Sequence, residues 1–169
     1  MKQIDLRLCW TSSARGFPLP AAVERIYGPF ELPEPSVERP YISSNFVTSL
    51  DGVASFRELR GRAGGNEISR STEDRWLMAF LRAHHDAHLI GAGTIRTEAE
   101  ATGQGWDYGI RDQELFDYRT TTLHMGLPKV VILTGSGRVD LRLKVFNSDA
   151  VEPWIITTLA GAESLAAQA

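Results

Sequence analysis

Three polar side chains lie close together in a segment that otherwise has the composition of a β-strand: Asn45, Ser49 and Asp51. Side chains alternate faces along a strand, so these groups share one side of a strand over 41–51 with Val47. A strand covered by helices has little reason to align an amide, a hydroxyl and a carboxylate unless a polar ligand meets them. The pattern therefore favours a reacting or binding site, and its alternative is a solvent-facing edge strand that ends in an Asp-Gly turn.

A second candidate for ligand binding is a pair of glycine-rich turns, at 91–94 and 134–137, which each follow a predicted strand. Ligands of open α/β sheets bind at the carboxyl ends of strands, where glycines let backbone N–H groups approach a phosphate. Neither turn completes a Rossmann or Walker motif, because Arg96 occupies the third glycine position and no Gly-Lys-Ser/Thr follows. A nucleotide site and a pair of tight strand-to-helix turns therefore both stay open. If a nucleotide binds there, Arg138 is the candidate to contact its 2′-phosphate.

Histidine and arginine clusters elsewhere are weaker candidates for chemistry. His84 and His88 are one helical turn apart, but the segment bends into a strand after Asp86 and no carboxylate or cysteine cluster joins them. We therefore expect no metal. The glycine-rich segment 55–70 is predicted to be a solvated loop, and the alternative is a lid over an anionic ligand. Its clustered basic residues are Arg57, Arg60 and Arg62.

The composition limits the class of protein. The chain has 169 residues, of which 43% are hydrophobic and 23% charged, and its net charge is −3. These values are typical of a globular domain, and the lack of a dense basic run excludes a general nucleic-acid or anionic-membrane binder. Cys9 is the single cysteine, which excludes intramolecular disulfides and Cys-rich zinc sites. The charged start, and the lack of about 18 consecutive apolar residues, indicate a cytoplasmic protein.

The elements that must position these residues alternate between helices and short apolar strands. Ser71 is predicted to cap a helix over 72–84, in which apolar residues recur at helical spacing. Strands are predicted over 87–90, 130–133 and 154–157, and helices near 111–118 and from about 161, with the rest of 99–127 irregular. The alternation predicts an α/β domain with a mostly parallel sheet covered by helices on both faces. Residues 1–38 are predicted to be an irregular arm with a short helix over 21–27.

Several motifs occur in the order found in one enzyme family. They are Arg39-Pro40-Tyr41, Asn45, Ser49-Leu50-Asp51-Gly52, Leu81-Arg82-Ala83, Asp86, Gly91-Ala92-Gly93-Thr94-Ile95-Arg96-Thr97-Glu98, Pro128-Lys129-Val130-Val131 and Ile155-Ile156-Thr157. Over residues 39–158 the chain resembles the pyrimidine reductase domain of riboflavin biosynthesis, in its stand-alone branch. The resemblance implies a dihydrofolate reductase-like fold, with a reductase domain at 39–169 after the arm at 1–38.

The resemblance also implies an activity and a set of site residues. The reaction would be NADPH-dependent reduction of 5-amino-6-(5-phosphoribosylamino)uracil, with hydride delivered to the sugar carbon. Asn45, Ser49 and Asp51 would line the place where nicotinamide meets substrate, with Asn45 and Asp51 as catalytic residues. Arg82 would reach the substrate phosphate. The residues implied to contact the cofactor are Val47, Gly91, Gly93, Thr94, Glu98, Thr134 and Gly135, to which the position of Arg138 adds a further candidate.

The sequence departs from the family pattern at three places, and two other functions stay open. Ala63 stands where the family has a substrate-contacting serine, and no Asp-Pro-x-Leu-x-x-Arg stretch follows Glu98. Relatives continue through further strands and a Glu-Gly-Gly-Pro turn, so we expect a longer natural protein, with a homodimer as its complete form. The alternatives are a dihydrofolate or pterin reductase of the same fold, in which Asp51 holds the pterin ring, and a non-catalytic nucleotide-binding or oligomerisation module.

Overall fold

The computed structural model describes residues 37–54, 68, 69 and 71–168, together with residues 21, 23 and 24. The chain separates into two compact units, Met1–Phe46 and Val47–Ala169. In the first unit, residues 21, 23 and 24 are helical, as predicted for the short helix, while residues 37–46 are exposed and form neither helix nor strand. The predictions that concern Cys9, Arg57, Arg60, Arg62 and Ala63 lie outside the described residues.

The second unit contains a parallel sheet whose strands are connected through helices. Its elements are α1 (Thr72–His84), β1 (Ala87–Gly91), α2 (Ala92–Thr102), α3 (Gln113–Asp117), a π-helical turn (Tyr118–Thr122), β2 (Lys129–Thr134), a 3₁₀ turn (Lys144–Phe146), β3 (Glu152–Thr157) and α4 (Leu159–Ala166). The strands lie in the order β1-β2-β3, and both neighbouring pairs are parallel. The α/β class predicted from the sequence is confirmed, and so are its three apolar strands. Helix α2 was not predicted: it starts within the turn predicted at 91–94 and continues to Thr102, into the segment predicted to be irregular.

Helix α1 is fixed at both ends by side chains. At its start the Ser71 hydroxyl accepts hydrogen bonds from the amides of Glu73 and Asp74, which confirms the predicted cap. At its end, carbonyl groups that lack a partner within the helix point at the guanidinium of Arg119, which is only 2% exposed. The carbonyl acceptors of Arg119 are those of Arg82 at 3.3 Å, Ala83 at 3.1 Å, His85 at 2.7 Å and Gly126 at 2.6 Å.

One face of the sheet carries the hydrophobic core. Val130 and Ile132 of β2 are fully buried there against Ala92 and Ile95 of α2. The register pairs Leu89 with Val131 and Trp154, and Gly91 with Leu133 and Ile156, so these residues share the opposite face. On this face, which we call the open face, four large apolar side chains are 40–58% exposed: Leu89, Leu133, Trp154 and Ile156.

The strand predicted over residues 41–51 is wrong. Residues 40–49 form neither helix nor strand, and the chain turns at Leu50 and Asp51. Alternating residue types show which side chains would share a face, but a strand also needs hydrogen bonds to a neighbouring strand. In the described part of the chain, the sheet contains three strands, and the segment at 41–51 pairs with none of them.

Candidate functional site

The carboxyl ends of β1 and β2 bring the two glycine-rich turns to the same edge of the sheet. Gly91 pairs with Leu133 in the register, which places Gly91, Gly93 and Thr94 beside Thr134 and Gly135. A side-chain contact also ties the two turns together, because Arg96 of α2 donates from Nη1 to the backbone oxygen of Arg138 at 3.0 Å. The predicted adjacency of the two turns is therefore present.

The glycines of this edge leave open space beside the backbone. A Cβ at Gly91 or Gly135 would meet no atom within 4 Å, and one at Gly93 would meet only the end of the Arg96 side chain, at 3.9 Å. Since none of the three has a positive φ, neither packing nor backbone conformation requires glycine there. Helix α2 starts at this place, and among the described residues no side chain caps its first amides. Open glycines beside free helix amides fit the phosphates of a dinucleotide.

The far side of the second turn has a structural reason for its glycine. Gly137 has φ +68°, and a Cβ on it would collide with the backbone oxygen of Gly161 at the start of α4. The Thr158 hydroxyl donates to the backbone oxygen of Gly135 at 2.7 Å and accepts from the amide of Gly161 at 3.1 Å. Gly137 is thus explained by close packing, whereas Gly135 is not. Thr134 lies at the same strand end but is only 9% exposed.

Arg138 carries an exposed charge next to the open glycines. Its Nε lies 3.4 Å from the Ser136 hydroxyl, and within the described residues it forms no ion pair. An arginine without an acidic partner can contact an anion without first losing an intramolecular pair. The position of Arg138 is therefore compatible with a contact to a phosphate at this edge.

Arg82 and Glu98 lie together in a second group of side chains, which also contains His88 and Tyr108 and which we call the Tyr108 cluster. The Tyr108 hydroxyl donates to Oε2 of Glu98. The guanidinium of Arg82 lies 5.7 Å from the centre of the Tyr108 ring, and the His88 ring meets the same ring edge-on at 5.6 Å between centroids. The structure thus joins a residue implied to bind substrate phosphate with one implied to bind the cofactor.

Burial controls the charges in the Tyr108 cluster. It raises the pKa of Glu98 above the usual carboxyl value, against the Tyr108 hydrogen bond and the charge of Arg82. Burial, together with the charge of Arg82, lowers the pKa of His88 to about 4. Arg82 Nε and His88 Nδ1 are both buried without a hydrogen-bond partner among the described residues. The cluster therefore holds one cation, Arg82, whose Nε can donate a further hydrogen bond.

Tyr108 was not identified from the sequence, although local features mark it. It lies in the left-handed region at φ +61°, which is costly for a residue with a side chain, and it is 5% exposed. Its neighbour Asp107 holds the backbone in place by accepting from the Gly109 amide at 3.2 Å and by pairing with Arg111 and Lys144. The only signal in the sequence is the run of glycines at 103, 105 and 109 around this aromatic residue.

Ser49 and Asp51 form an exposed turn with local hydrogen bonds. The Ser49 hydroxyl donates to the Asp51 carboxylate and accepts from the Val53 amide at 3.0 Å. The hydrogen bond from Ser49 lowers the pKa of Asp51, so the exposed carboxylate stays ionised at neutral pH. Within the described residues, no hydrogen bond or ion pair joins Ser49 or Asp51 to the glycine turns or to the Tyr108 cluster.

The remaining predicted residues of this segment are placed as follows. Val47 is partly buried in the second unit, and Asn45 is exposed in the first.

Among the described residues no group of three or more His, Cys, Asp and Glu side chains is arranged to hold a metal ion.

Comparison with known proteins identifies the family. The family model of the RibD C-terminal domain matches residues 40–167. The chain belongs to this family. This family is that of the pyrimidine reductase domain of riboflavin biosynthesis, so the family identified from the motifs is confirmed. No curated protein and no solved structure gives a significant match to the chain.

The RibD C-terminal domain family is a family of reductases of riboflavin biosynthesis, and this chain is a member of it. The match starts next to Arg39 and includes both glycine turns, the Tyr108 cluster and the turn at Ser49. In the described parts of the chain, every helix is too short or too polar to cross a membrane.

Proposed function

We propose that this chain is an NADPH-dependent reductase that acts on 5-amino-6-(5-phosphoribosylamino)uracil. The observation that carries the proposal is the pair of open glycines, Gly91 and Gly135, at adjacent strand ends beside the first amides of α2, which no side chain of the described residues caps. Family membership supports the reaction class. NADPH supplies the hydride, and the work of the chain is to bind and orient two anionic ligands.

The proposed cofactor site combines the strand ends with nearby side chains. The amides that follow Gly91 would bind the diphosphate, and Arg138 would pair with the 2′-phosphate, because it is exposed and has no acidic partner among the described residues. Glu98 would accept a hydrogen bond from the cofactor through its second carboxyl oxygen. The other residues proposed to contact the cofactor are Val47, Gly93, Thr94, Thr134 and Gly135.

The proposed substrate site uses a carboxylate and a cation. Asp51, kept ionised by the Ser49 hydroxyl, would accept a hydrogen bond from the substrate and orient it for hydride transfer, with Asn45 as the second catalytic residue. Arg82 would pair with the substrate phosphate through a guanidinium whose Nε has no partner among the described residues. Ser49 would contact the substrate as well.

The deciding experiment follows NADPH oxidation by purified protein in the presence of the phosphorylated pyrimidine, and in parallel with dihydrofolate. The proposal expects oxidation that depends on the pyrimidine and is lost in Asp51→Asn. Turnover with dihydrofolate alone would favour the pterin alternative. NADPH binding without turnover of either compound would instead favour a non-catalytic nucleotide-binding module.

The preference for NADPH over NADH can be tested at one residue. Arg138→Gln should weaken NADPH binding about tenfold and leave NADH binding unchanged, because a hydrogen bond to a charged group is worth roughly 1.5–3 kcal/mol. The control is Arg142→Gln, an exposed arginine paired with Asp140. Equal losses for both dinucleotides in a fluorescence titration would refute this position for the 2′-phosphate.

Domain organisation, assembly and location complete the proposal. We propose that residues 39–169 form the reductase domain after an arm at 1–38, and that the complete protein is a cytoplasmic homodimer. Family resemblance supports these statements, and light scattering on natively expressed protein tests the assembly. A monomer that turns over substrate at the full rate would refute the dimer.

A further inference from the structure

We propose that Tyr108 is a positioning residue for the cofactor site: its hydroxyl holds Oε2 of Glu98, so that Oε1 stays directed to the bound dinucleotide. This inference rests on the proposed function, in which Glu98 contacts NADPH. The hydrogen bond from Tyr108 to Glu98 is the contact on which it depends.

The Tyr108 ring is held in one place. It is 5% exposed, with the Arg82 guanidinium 5.7 Å from its centre and the His88 ring against its edge. A hydroxyl on a ring packed in this way has little freedom to follow a moving partner. Tyr108 can therefore fix the position of Glu98, whose own side chain has three rotatable bonds.

The backbone at Tyr108 is also held in place. A residue with a side chain persists at φ +61° only where its surroundings hold it, and such positions cluster at functional sites. Here the surroundings are visible, since Asp107 accepts from the Gly109 amide and pairs with Arg111 and with Lys144 at 3.2 Å. The Lys144 amide in turn donates to the backbone oxygen of Gln104 at 3.0 Å. These contacts fix the loop from which the Tyr108 ring extends.

The position of Glu98 on α2 relates it to the glycine-rich turn at 91–94. Glu98 follows Thr94 by four residues, so both lie on the same side of the helix, one turn apart. Thr94 is exposed beside the open glycines, whereas Glu98 is partly buried. Without a donor on its inner side, the Glu98 carboxyl would be free to turn toward the charge of Arg82. The Tyr108 hydroxyl provides that donor and fixes one carboxyl oxygen of Glu98.

The experiment compares two buried tyrosines that each lose only a hydroxyl. Tyr108→Phe should raise the dissociation constant for NADPH about tenfold, the effect of losing one hydrogen bond to a charged group. Tyr118→Phe is the matched control, because the Tyr118 hydroxyl faces His84 at 3.4 Å, and it should change the constant by less than about twofold. Fluorescence titration measures both, and urea unfolding shows that both variants fold.

A second pair of variants separates positioning from a merely structural role. In a Glu98→Gln background, adding Tyr108→Phe should weaken NADPH binding by less than about twofold, because contacting residues are not additive. A further tenfold loss in that background would show that Tyr108 acts independently of Glu98 and would overturn the inference. Should Tyr108→Phe not fold, Glu98→Asp takes its place. Its shorter carboxylate cannot reach both partners, so it should bind NADPH about tenfold more weakly.

The two failures are distinguishable. If the wild-type protein does not bind NADPH, the proposed function is wrong, and the inference falls with it. If the wild-type protein binds NADPH and Tyr108→Phe binds it equally well, only the positioning role is wrong and the proposed function stands. Weaker binding by Tyr108→Phe alone, with Tyr118→Phe unchanged, supports both.

Discussion

Two groups of polar side chains in the second unit are built in opposite ways. Arg119 and Tyr108 are buried, and the other members of the Tyr108 cluster are half-buried. Their contacts join distant parts of the sequence: Arg119 reaches the carbonyl of Ala83, 36 residues away. In the exposed turn, Ser49 and Asp51 use partners within four residues. Both groups contain a hydrogen-bonded carboxyl group, but water can replace the partners only in the turn.

This difference separates residues that are required for stability from residues that are candidates for catalysis. A buried hydrogen-bonding group that loses its partner pays the full cost of having left water, so residue types there are set by stability. At the turn, water replaces a lost partner, and stability does not require a carboxylate at Asp51. A carboxylate without a structural reason is a better candidate for catalysis than one that the core depends on.

The largest expected effect is the loss of stability when the buried Arg119 is replaced. Arg119→Met should lower the free energy of unfolding by roughly 3 kcal/mol or more, because four carbonyl groups lose a donor whose side chain is almost completely buried. Arg142→Met removes an exposed arginine as the control and should leave the urea midpoint unchanged. Similar midpoints for the two variants would break the comparison.

The next prediction exchanges one carboxylate for an amide in the exposed turn and another in Asp107, which neighbours Tyr108 in the sequence. Asp51→Asn should lower turnover per folded molecule about 100-fold and leave stability unchanged, if the carboxylate acts on the substrate. Asp107→Asn should do the reverse and lower the free energy of unfolding by roughly 1–2 kcal/mol, because it loses its pairs with Arg111 and Lys144. Melting and single-turnover rates are measured on the same preparations. A stability loss in Asp51→Asn without a rate loss would mean that the residue only forms the turn.

A third prediction makes the same distinction between two glycines. Gly161→Ala should cost roughly 1–3 kcal/mol of stability, because its Cβ would collide with the Thr157 side chain and lie 3.0 Å from the backbone oxygen of Gly135. Gly135→Ala has open space and should unfold at the wild-type urea concentration, but bind NADPH more weakly. Equal stability of the two variants would show that the turn at 134–137 is not packed against α4 as described.

The smallest effect concerns pH, where the two groups respond in different ranges. Burial lowers the pKa of both His84 and His88 to about 4, so the unfolded chain binds protons that the folded chain refuses. Stability should therefore fall from about pH 6.5 toward about pH 4, by about 1 kcal/mol per histidine for each pH unit. Asp51 has the same sign in a lower range: its lowered pKa stabilises the fold above the usual carboxyl pKa, and this contribution is lost as the pH falls below that value.

Replacing one buried histidine measures its contribution to the dependence of stability on pH. His88→Leu should reduce the slope of stability against pH between about pH 6.5 and about pH 5 to roughly half, leaving the share of His84. His124→Gln, at an exposed position, is the control for removing a histidine. An unchanged slope in His88→Leu would show that His88 is not held neutral in the folded protein.

Features encoded within a few neighbouring residues could be predicted from the sequence. The cap at Ser71 and the helical spacing that follows specify α1 without reference to the rest of the fold, and the runs around Val130 and Ile155 are apolar enough to be strands. The segment at 41–51 has an equally good strand pattern, yet it forms no strand. The pattern records a side-chain preference, whereas a strand depends on a partner that no local sequence names.

The candidate site follows the same division. The glycine turns at 91–94 and 134–137 could be predicted to be adjacent, because parallel strands end at a common edge. The sequence did not reveal that Gly137 packs against Gly161, since that contact joins separate elements. Tyr108 and Arg119 were missed for a related reason. Both lie in a polar stretch, and only the folded structure shows that their side chains are buried.

The open face of the sheet has an optical consequence. Trp154 lies on it, 52% exposed, with its indole N–H donating to Glu152 at 2.9 Å and the Lys129 ammonium 5.8 Å from its ring. An indole in contact with water emits at longer wavelengths than a buried one. Any molecule that covers this face will remove water from the ring and move its emission toward the blue. Trp154 is therefore a built-in fluorescent reporter of whether the face is covered, and the spectrum of Trp154→Phe identifies its contribution among the four tryptophans.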